Sequence, residues 1–322
     1  MPTVERCLVT GADGFIGQAL CRRLGETGIR ILRLVHRAGE PETIAAELGR
    51  DPIPSLAVFR PEAVFHLAGR VHQPDNGPGA ESEHIRVTVE GTRQLLAASA
   101  EAGVKSFVFF STCGVMPVGS PDPVDETAEP RPTTPYARAK LTAEELVIGA
   151  SGSHGMTTVC LRLPMVYGPG HKGQLPRMIN AIERGWFPPI PDAGGGRSLV
   201  HVDDVVDAAL LVAMNQKSAG KVYIVAEPQA YSSRELYEIV LHALGRRPPK
   251  WQVPTSLLRA AAVIGDAGER LTGRRWRFDS EALRKLSQPA RYSAARIEHD
   301  LGFVPKRSFA LSAGELIKSQ TR

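Results

Sequence analysis

Short apolar runs alternate with helix-length segments through the first half of the chain. The runs are compact, rich in β-branched or aromatic residues and bounded by glycine or polar residues, which predicts buried strands. They lie at residues 6–10, 29–35, 63–68, 106–110 and 157–163. The segments between them that have a helical pattern are 15–24, 83–102 and 136–149. Because strands and helices alternate, right-handed crossovers should join the strands into a parallel, doubly wound sheet.

Two parts of the chain break this regular alternation. Between residues 40 and 60 a further strand is expected, but no apolar run there is clear enough to place it. After about residue 165, turns rich in proline and glycine separate helices such as 174–184, and the tail 251–322 is helical and rich in arginine. The apolar run 222–226 could return to the sheet, which indicates a second domain interleaved with the first.

Composition and charge narrow the choice of partners. The chain has 322 residues, 43% of them hydrophobic, which is typical of a globular protein of about two domains. It has no apolar run of about 18 residues and no signal-peptide pattern, so we expect a cytoplasmic protein without membrane insertion. Lys and Arg number 39 against 34 for Asp and Glu, and most of the cations are arginine. This balance favours small anionic ligands and predicts no nucleic-acid partner.

Neither the cysteines nor the histidines predict a metal site. The four cysteines form no CxxC pair, which favours buried free thiols. His66, His72 and His84 fit no common metal-ligand spacing.

A glycine-rich turn, GADGFIG, joins the first predicted strand to the first predicted helix. Glycines let such a turn tighten and let the backbone approach a pyrophosphate, while the helix N-terminus offers N–H groups and the positive end of its dipole. We therefore predict a dinucleotide site in a Rossmann-type domain. The cofactor contacts predicted in this turn are Gly11, Asp13, Gly14, Phe15, Ile16 and Gly17.

The end of the second predicted strand bears on the choice between NAD and NADP. NAD-selective sites usually place an acidic residue there to bind the adenosine ribose. Here the strand ends in His36 and Arg37, and the first acidic residue after it is Glu40. Since a carboxylate would repel a 2′-phosphate whereas His36 and Arg37 could pair with one, NADP is slightly favoured. The alternative is that Arg37 is a solvated loop charge.

A tyrosine and a lysine, Tyr136 and Lys140, are four residues apart at the start of a predicted helix, so they share one helix face. The strand before this helix ends in Ser111 and Thr112, at the sheet edge where doubly wound folds bind ligands. Moving a hydride to or from a carbinol carbon requires a group that transfers a proton at the oxygen, and a free phenol is a poor base at neutral pH. A neighbouring Lys140 would favour the phenolate, and Thr112 would orient the same oxygen.

Several further strings are similar to those of one known family. They occur at residues 64–69 (VFHLAG), 89–92 (VEGT), 109–112 (FFST), 161–170 (LRLPMVYGPG), 197–204 (RSLVHVDD) and 301–305 (LGFVP). With the glycine turn and the Tyr136–Lys140 pair, they make the chain resemble the extended short-chain dehydrogenase/reductases, specifically the nucleotide-sugar epimerase/dehydratase group. The resemblance covers nearly the whole chain.

The resemblance implies a domain organisation. We expect an NAD(P)-binding Rossmann-type doubly wound parallel sheet at residues 1–166, with a return near 197–226. A smaller, interleaved α/β substrate-binding domain should comprise 167–196 and 227–322. Relatives are usually dimers, so a homodimer is expected.

The same resemblance implies roles for individual residues. The implied catalytic residues are Thr112, Tyr136 and Lys140. The implied cofactor contacts outside the glycine turn include Tyr136 and Lys140 and are completed by Leu67, Ala68, Gly69 and Pro164. The implied substrate contacts are Thr112, Arg197 and an arginine of the stretch 270–277, for which Arg270 is the candidate. The chain departs from the family pattern at Thr88, Met116 and Pro117, which predicts a reshaped loop near the substrate.

These features favour an NAD(P)-dependent epimerase or ketoreductase acting at C4 of a UDP- or dTDP-sugar. Similarity to reductases of O-antigen pathways implies a role in the synthesis of surface-polysaccharide precursors. One alternative is an NADPH-dependent reductase of a non-nucleotide ketone or hydroxysteroid-like substrate. A more remote alternative is a non-catalytic, cofactor-sensing regulator; such proteins typically lose the Tyr or the Lys, and both remain here.

Overall fold

The computed structural model of the protein describes residues 4–35, 42–70, 79–171, 173–192, 194–272 and 279–320. Its strands are β1 (Arg6–Thr10), β2 (Arg30–Val35), β3 (Thr43–Ala45), β4 (Ala63–His66), β5 (Ser106–Thr112), β6 (Thr157–Leu163), β7 (Met165–Tyr167), β8 (Gly196–His201), β9 (Lys221–Ile224) and β10 (Ala230–Ser232). Its helices are α1 (Phe15–Glu26), α2 (Ala80–His84), α3 (Gly91–Glu101), α4 (Pro135–Gly149), α5 (Gln174–Glu183), α6 (Val202–Ala213), α7 (Ser233–Ala243), α8 (Thr255–Thr272), α9 (Ser280–Ser287), α10 (Ala295–Leu301) and α11 (Phe309–Gln320). Across these ranges, no helix has the length and apolar character needed to cross a membrane.

A parallel sheet forms the centre of the protein. Among the described residues it has seven strands in the order β3-β2-β1-β4-β5-β6-β9. Helices cover both faces: Leu20 of α1 and Val205 of α6 are buried on one side, and Leu95 of α3 and Val147 of α4 on the other. The predicted Rossmann-type, doubly wound α/β fold is confirmed. Strand β3 lies at the sheet edge, in the stretch where the sequence pattern placed no strand.

A second, smaller sheet is formed from β10, β8 and β7, with β7 parallel and β10 antiparallel to β8. Successive residues of β8 face different cores, because side chains alternate along a strand. Leu199 packs with Tyr167 and Phe309 in the core of the small sheet, whereas Val200 packs in the core of the large sheet. The chain enters the small sheet directly after β6 and returns to the large one at β9, so the two units are interleaved.

The helical segment after β4 contains one irregular turn. Helix α2 continues through a π-helical turn, Ile85–Glu90, into α3. The sequence pattern predicts a single helix over residues 83–102, without this turn. π-Helical turns occur often at functional sites. Thr88, where the family pattern has Asn, is buried inside the turn, and its carbonyl accepts a hydrogen bond of 2.5 Å from the hydroxyl of Thr92.

The parallel strands bring the carboxyl ends of β1, β4, β5 and β6 to one edge of the large sheet, which is where such folds bind ligands. Helix α4 starts at the same edge. Thr134 caps it by accepting a hydrogen bond of 3.1 Å from the backbone N–H of Ala137, and Pro135 occupies the first helical position. This start places Tyr136 in the first turn of α4 and Lys140 one turn further along.

Candidate active site

The glycine turn after β1 is packed so closely that side chains are excluded at two positions. Gly11 has a φ of +68°, and a Cβ there would lie 2.8 Å from the backbone nitrogen of Ala68. A Cβ at Gly17 would overlap the carbonyl oxygen of Gly11. Gly14 precedes α1 without a side-chain cap, and the first turn of α1 carries no acidic residue. The helix N-terminus is therefore suited to a diphosphate.

A chain of buried hydrogen bonds fixes the backbone beside this turn. The hydroxyl of Thr92 donates to the carbonyl of Thr88, so it accepts from Nε2 of His66 at 2.9 Å. Nδ1 of His66 then accepts from the hydroxyl of Thr10 at 2.7 Å, and that hydroxyl accepts from the backbone N–H of Ala68 at 3.1 Å. Burial lowers the pKa of His66 to about 3, with a further contribution from the Lys140 charge, so the imidazole is neutral. His66 thus holds Ala68 in place.

Lys140 connects helix α4 to strand β5 and lies beside Gly69. Its Nζ donates a hydrogen bond of 2.8 Å to the carbonyl of Phe110, two residues before Thr112. A Cβ at Gly69 would lie 3.4 Å from the same Nζ, so the predicted cofactor residue Gly69 faces this lysine. The turn that follows Thr112 reaches the start of α4, because Gly114 lies against Ala137. The structure thus brings Gly69, Thr112 and Lys140 to one place.

Tyr136 and Thr112 complete this group. The Tyr136 ring lies edge-on to the imidazole of His84, with their centroids 5.9 Å apart. The Oγ1 of Thr112 accepts a hydrogen bond of 3.0 Å from the backbone N–H of Gly114, so its hydroxyl proton can be donated elsewhere. Thr112 ends β5, Lys140 is bonded to the carbonyl of Phe110 on the same strand, and Tyr136 lies one helical turn before Lys140 on α4.

The charge of Lys140 is held in a low-dielectric site. The side chain is 2% exposed, and its Nζ lies 4.4 Å from the ring centroid of Phe109. Burial lowers the pKa of Lys140 to about 8, although the carboxylate of Glu144 acts in the opposite direction. Glu144 is one helical turn beyond Lys140 on α4.

A buried ion pair lies beside Lys140, and sequence reasoning did not find it. Both carboxylate oxygens of Glu144 are 3.1 Å from Nε of Arg162, and one is 2.7 Å from its Nη2. Arg162 also places Nη1 2.8 Å from the sulfur of Met116. Met116 is one of the departures from the family pattern, and the structure buries it on this guanidinium. The sequence feature that could have indicated this ion pair is Arg162, a charged residue inside the apolar strand 157–163.

The remaining predicted residues lie partly outside the described structure. Pro164 separates β6 from β7, at the same edge of the large sheet. Arg197 lies on β8 and is partly buried, and burial lowers the pKa of its guanidinium. His36 and Arg37 are outside the described residues, as is the side chain of Arg270.

Comparison with known proteins gives the family of the chain. A family model described as "NAD dependent epimerase/dehydratase family" matches residues 7–226, which is more than half of the chain. The chain belongs to the NAD-dependent epimerase/dehydratase family. Members of this family, the extended short-chain dehydrogenase/reductases, are oxidoreductases and isomerases, so the protein is an enzyme of that type.

Relatives in this family include both reductases and nucleotide-sugar enzymes. The chain is 29% identical to a 2-alkyl-3-oxoalkanoate reductase of Stenotrophomonas maltophilia (strain K279a), covering 94% of this chain and 96% of the relative. It is 31% identical to a dTDP-glucose 4,6-dehydratase of Streptomyces griseus, covering 74% and 78%. The structure of MoeE5 in complex with UDP-glucuronic acid and NAD superimposes with a TM-score of 0.74 at 25% identity, covering 98% and 99%.

The residues at the sheet edge fit a nicotinamide dinucleotide. A Cβ at Gly11 would meet the backbone of Ala68 and a Cβ at Gly17 the carbonyl oxygen of Gly11, so the turn can keep the close packing that suits a diphosphate only with glycine at both positions. Ala68 is held by the hydroxyl of Thr10, and Gly69 lies against the ammonium of Lys140. These residues would bind the diphosphate and the adjoining ribose of the cofactor.

The buried lysine leads to a prediction about stability and pH. Below pH 8 Lys140 is protonated in the folded and unfolded chains, so the folded protein bears the full cost of burying the cation. Between about 8 and 10.5 the unfolded chain binds more protons at this site, so the contribution of Lys140 to stability rises with pH. Relative to a Lys140→Met variant, we expect the wild-type apoprotein to gain on the order of 2 kcal/mol between pH 7 and pH 10.

Urea unfolding at each pH measures this difference in the free energy of unfolding. The matched control is Lys105→Met, since Lys105 is exposed. The difference in free energy of unfolding between this variant and the wild type should change less with pH than the difference for Lys140→Met. An equal pH dependence for the two variants would contradict a depressed pKa at Lys140.

Proposed function

We propose that the protein oxidises or reduces C4 of a UDP- or dTDP-sugar, as a 4-epimerase or a 4-ketoreductase. The observation that carries the substrate class is Arg197. Its guanidinium is partly buried on β8, where water screens its charge less than on the open surface. A diphosphate is an anion that an arginine in such a place can bind through bidentate, charge-assisted hydrogen bonds.

Residues at the sheet edge account for the proton transfers. When bound, a nicotinamide cofactor supplies or accepts the hydride at C4. The hydroxyl of Tyr136 gives a proton to the sugar oxygen during reduction and takes it back during oxidation. The ammonium of Lys140 favours the phenolate form of Tyr136, and Thr112 donates its free hydroxyl proton to the sugar oxygen to orient it.

The choice of cofactor separates the two reactions. His36 and Arg37, which follow β2 in the sequence, support NADP, and a consumed NADPH would make the enzyme a ketoreductase. A 4-epimerase would instead keep one NAD and return the hydride to the other face of the sugar. Mass spectrometry of ligands retained by the purified protein tests this choice: NADP or no cofactor supports the reductase, and tightly held NAD supports the epimerase. A retained UDP- or dTDP-sugar would support the substrate class and a role in polysaccharide-precursor synthesis.

A second candidate is reduction of a non-nucleotide ketone. It is favoured by the similarity to the 2-alkyl-3-oxoalkanoate reductase, which extends over 94% of this chain. In that case Arg197 would have no diphosphate to bind.

An Arg197→Ala variant distinguishes the two candidates. If Arg197 binds the diphosphate, we expect KM for the nucleotide sugar to rise about 10- to 100-fold, because hydrogen bonds to charged groups contribute roughly 1.5–3 kcal/mol. An Arg197→Lys variant keeps the charge but not the paired geometry, so its KM should lie between those of the wild type and Arg197→Ala. Steady-state kinetics measures both, with Arg93→Ala on the exposed surface of α3 as control. Unchanged kinetics in Arg197→Ala would favour the ketone.

A further inference from the structure

Two exposed tryptophans lie on neighbouring surface segments. Trp186 is 67% exposed and Trp251 is 64% exposed. Their segments are joined by a hydrogen bond of 2.9 Å from the backbone N–H of Val253 to the carbonyl of Pro189. The guanidinium of Arg234 also reaches both segments, at the carbonyls of Ile190 and Pro249. The two indoles are thus presented from one connected part of the surface.

Helix α8 follows the Trp251 segment and carries further exposed apolar side chains. It begins at Thr255, four residues after Trp251, and buries Leu258 and Ala262 on its inner side. Its outer side is also apolar, whereas the outer side of a surface helix is ordinarily polar. Leu257, Val263 and Ile264 are each at least 60% exposed, and Ala260 and Ala261 between them are exposed too. We call Trp186, Trp251, Leu257, Val263 and Ile264 the α8 surface.

Basic side chains accompany the α8 surface. Arg184 places its guanidinium 5.5 Å from the ring centroid of Trp186. Arg247 and Lys250 are exposed just before Trp251, and Arg259 is exposed on α8. Aromatic and aliphatic groups flanked by arginine and lysine are typical of proteins that lie on a membrane–water interface.

We infer that the α8 surface docks on a membrane rich in anionic lipids. The protein would bind peripherally, with the indoles and the outer side of α8 at the headgroup level and the basic residues on lipid phosphates. A second copy of the chain fits less well, because a two-fold interface apposes the same patch on both subunits and would bring the basic residues against each other. The inference is independent of the sugar or ketone that the enzyme uses.

Vesicle sedimentation tests the inference. The probes are vesicles of phosphatidylcholine alone and vesicles in which roughly three in ten lipids are phosphatidylglycerol. We expect the full-length protein to sediment with the anionic vesicles and much less with the neutral ones. An Arg247→Gln/Lys250→Gln variant should bind about 30-fold more weakly, since each cation near an anionic surface contributes about fivefold in affinity. A Trp186→Ser/Trp251→Ser/Ile264→Ser variant should lose binding at low and high salt alike.

Matched controls separate the α8 surface from general charge and hydrophobicity. Lys105→Gln/Lys306→Gln makes the same change of charge at exposed lysines elsewhere. Val58→Ser/Leu311→Ser removes apolar groups that are 97% and 84% exposed. Both control variants should bind as the wild type does. Binding weakened equally by the controls would overturn the assignment of the surface.

Fluorescence gives a readout that leaves the α8 surface unmutated. In a Trp276→Phe variant the emission comes from Trp186 and Trp251. Adding anionic vesicles should shift that emission to shorter wavelength, and brominated lipids should quench it. No sedimentation and no shift with anionic vesicles would refute membrane docking. A concentration-dependent dimer in light scattering that the tryptophan variant abolishes, without lipid binding, would assign the surface to a second copy instead.

Discussion

Replacing Tyr136 by Phe is expected to lower kcat about 1,000-fold while leaving cofactor affinity within a few-fold of the wild type. The substitution keeps the ring against His84 and removes only the hydroxyl, which we propose exchanges a proton with the substrate oxygen. Positioned acid–base groups contribute roughly 100- to 10,000-fold to rate. Steady-state turnover and a fluorescence titration with NADPH or NADH measure the two quantities.

The matched control for this variant is Tyr237→Phe. Tyr237 is buried in the core of the small sheet, stacked on Phe187, so losing its hydroxyl should leave kcat close to that of the wild type. If Tyr136→Phe retained most of its turnover, another residue would have to transfer the proton. The assignment of Tyr136 would then be wrong.

Gly17→Ala is expected to weaken dinucleotide binding at least tenfold and to destabilise the fold by about 1–3 kcal/mol. The new methyl group would overlap the carbonyl oxygen of Gly11 and approach the Cα of Ala12, and backbone atoms cannot move aside as a flexible side chain can. The turn must therefore shift away from the position where it would hold a diphosphate. Cofactor titration and urea unfolding measure the two effects.

Gly25→Ala on the same helix provides the comparison. Gly25 is exposed, and a Cβ there would meet nothing within 4 Å. Because alanine is the better helix former, this variant should be more stable than the wild type by up to about 1 kcal/mol and should bind cofactor normally. Equal loss of cofactor binding in both variants would contradict a special role for the glycine turn.

The sequence predicted the large sheet well because its signals are local. Each buried strand is a short apolar run bounded by polar or glycine residues, and the observed β1 and β6 have the predicted bounds. Strand β3 was missed because two of its residues, Thr43 and Ile44, are only partly buried and the third, Ala45, is exposed, so they make no apolar run. A smaller α/β unit was predicted, but the strands of its sheet were not placed for a different reason: they come from three separated parts of the chain and are held together by tertiary contacts.

For the candidate site as well, contacts between residues close in the sequence were predictable, whereas contacts that depend on tertiary packing were not. Tyr136 and Lys140 are one helical turn apart, so their proximity follows from helix geometry alone. The partners Glu144 and Arg162 are 18 residues apart, on a helix and on a strand, and only the packing of α4 on β6 brings them together. The π-helical turn could not be predicted either, because the spacing of apolar residues does not show one wider turn within a continuous helix.

The interleaving of the two sheets limits how the enzyme can be divided or recombined. A fragment ending at residue 226, where the family match ends, would keep β7 and β8 but lack β10, α7 and α11. Tyr167 and Leu199 would then lose the partners that Tyr231 and Phe309 provide. The unit built around the small sheet therefore cannot be exchanged between relatives by grafting one contiguous segment. A functional chimera must transfer the segment between β6 and β9 together with the C-terminal segment.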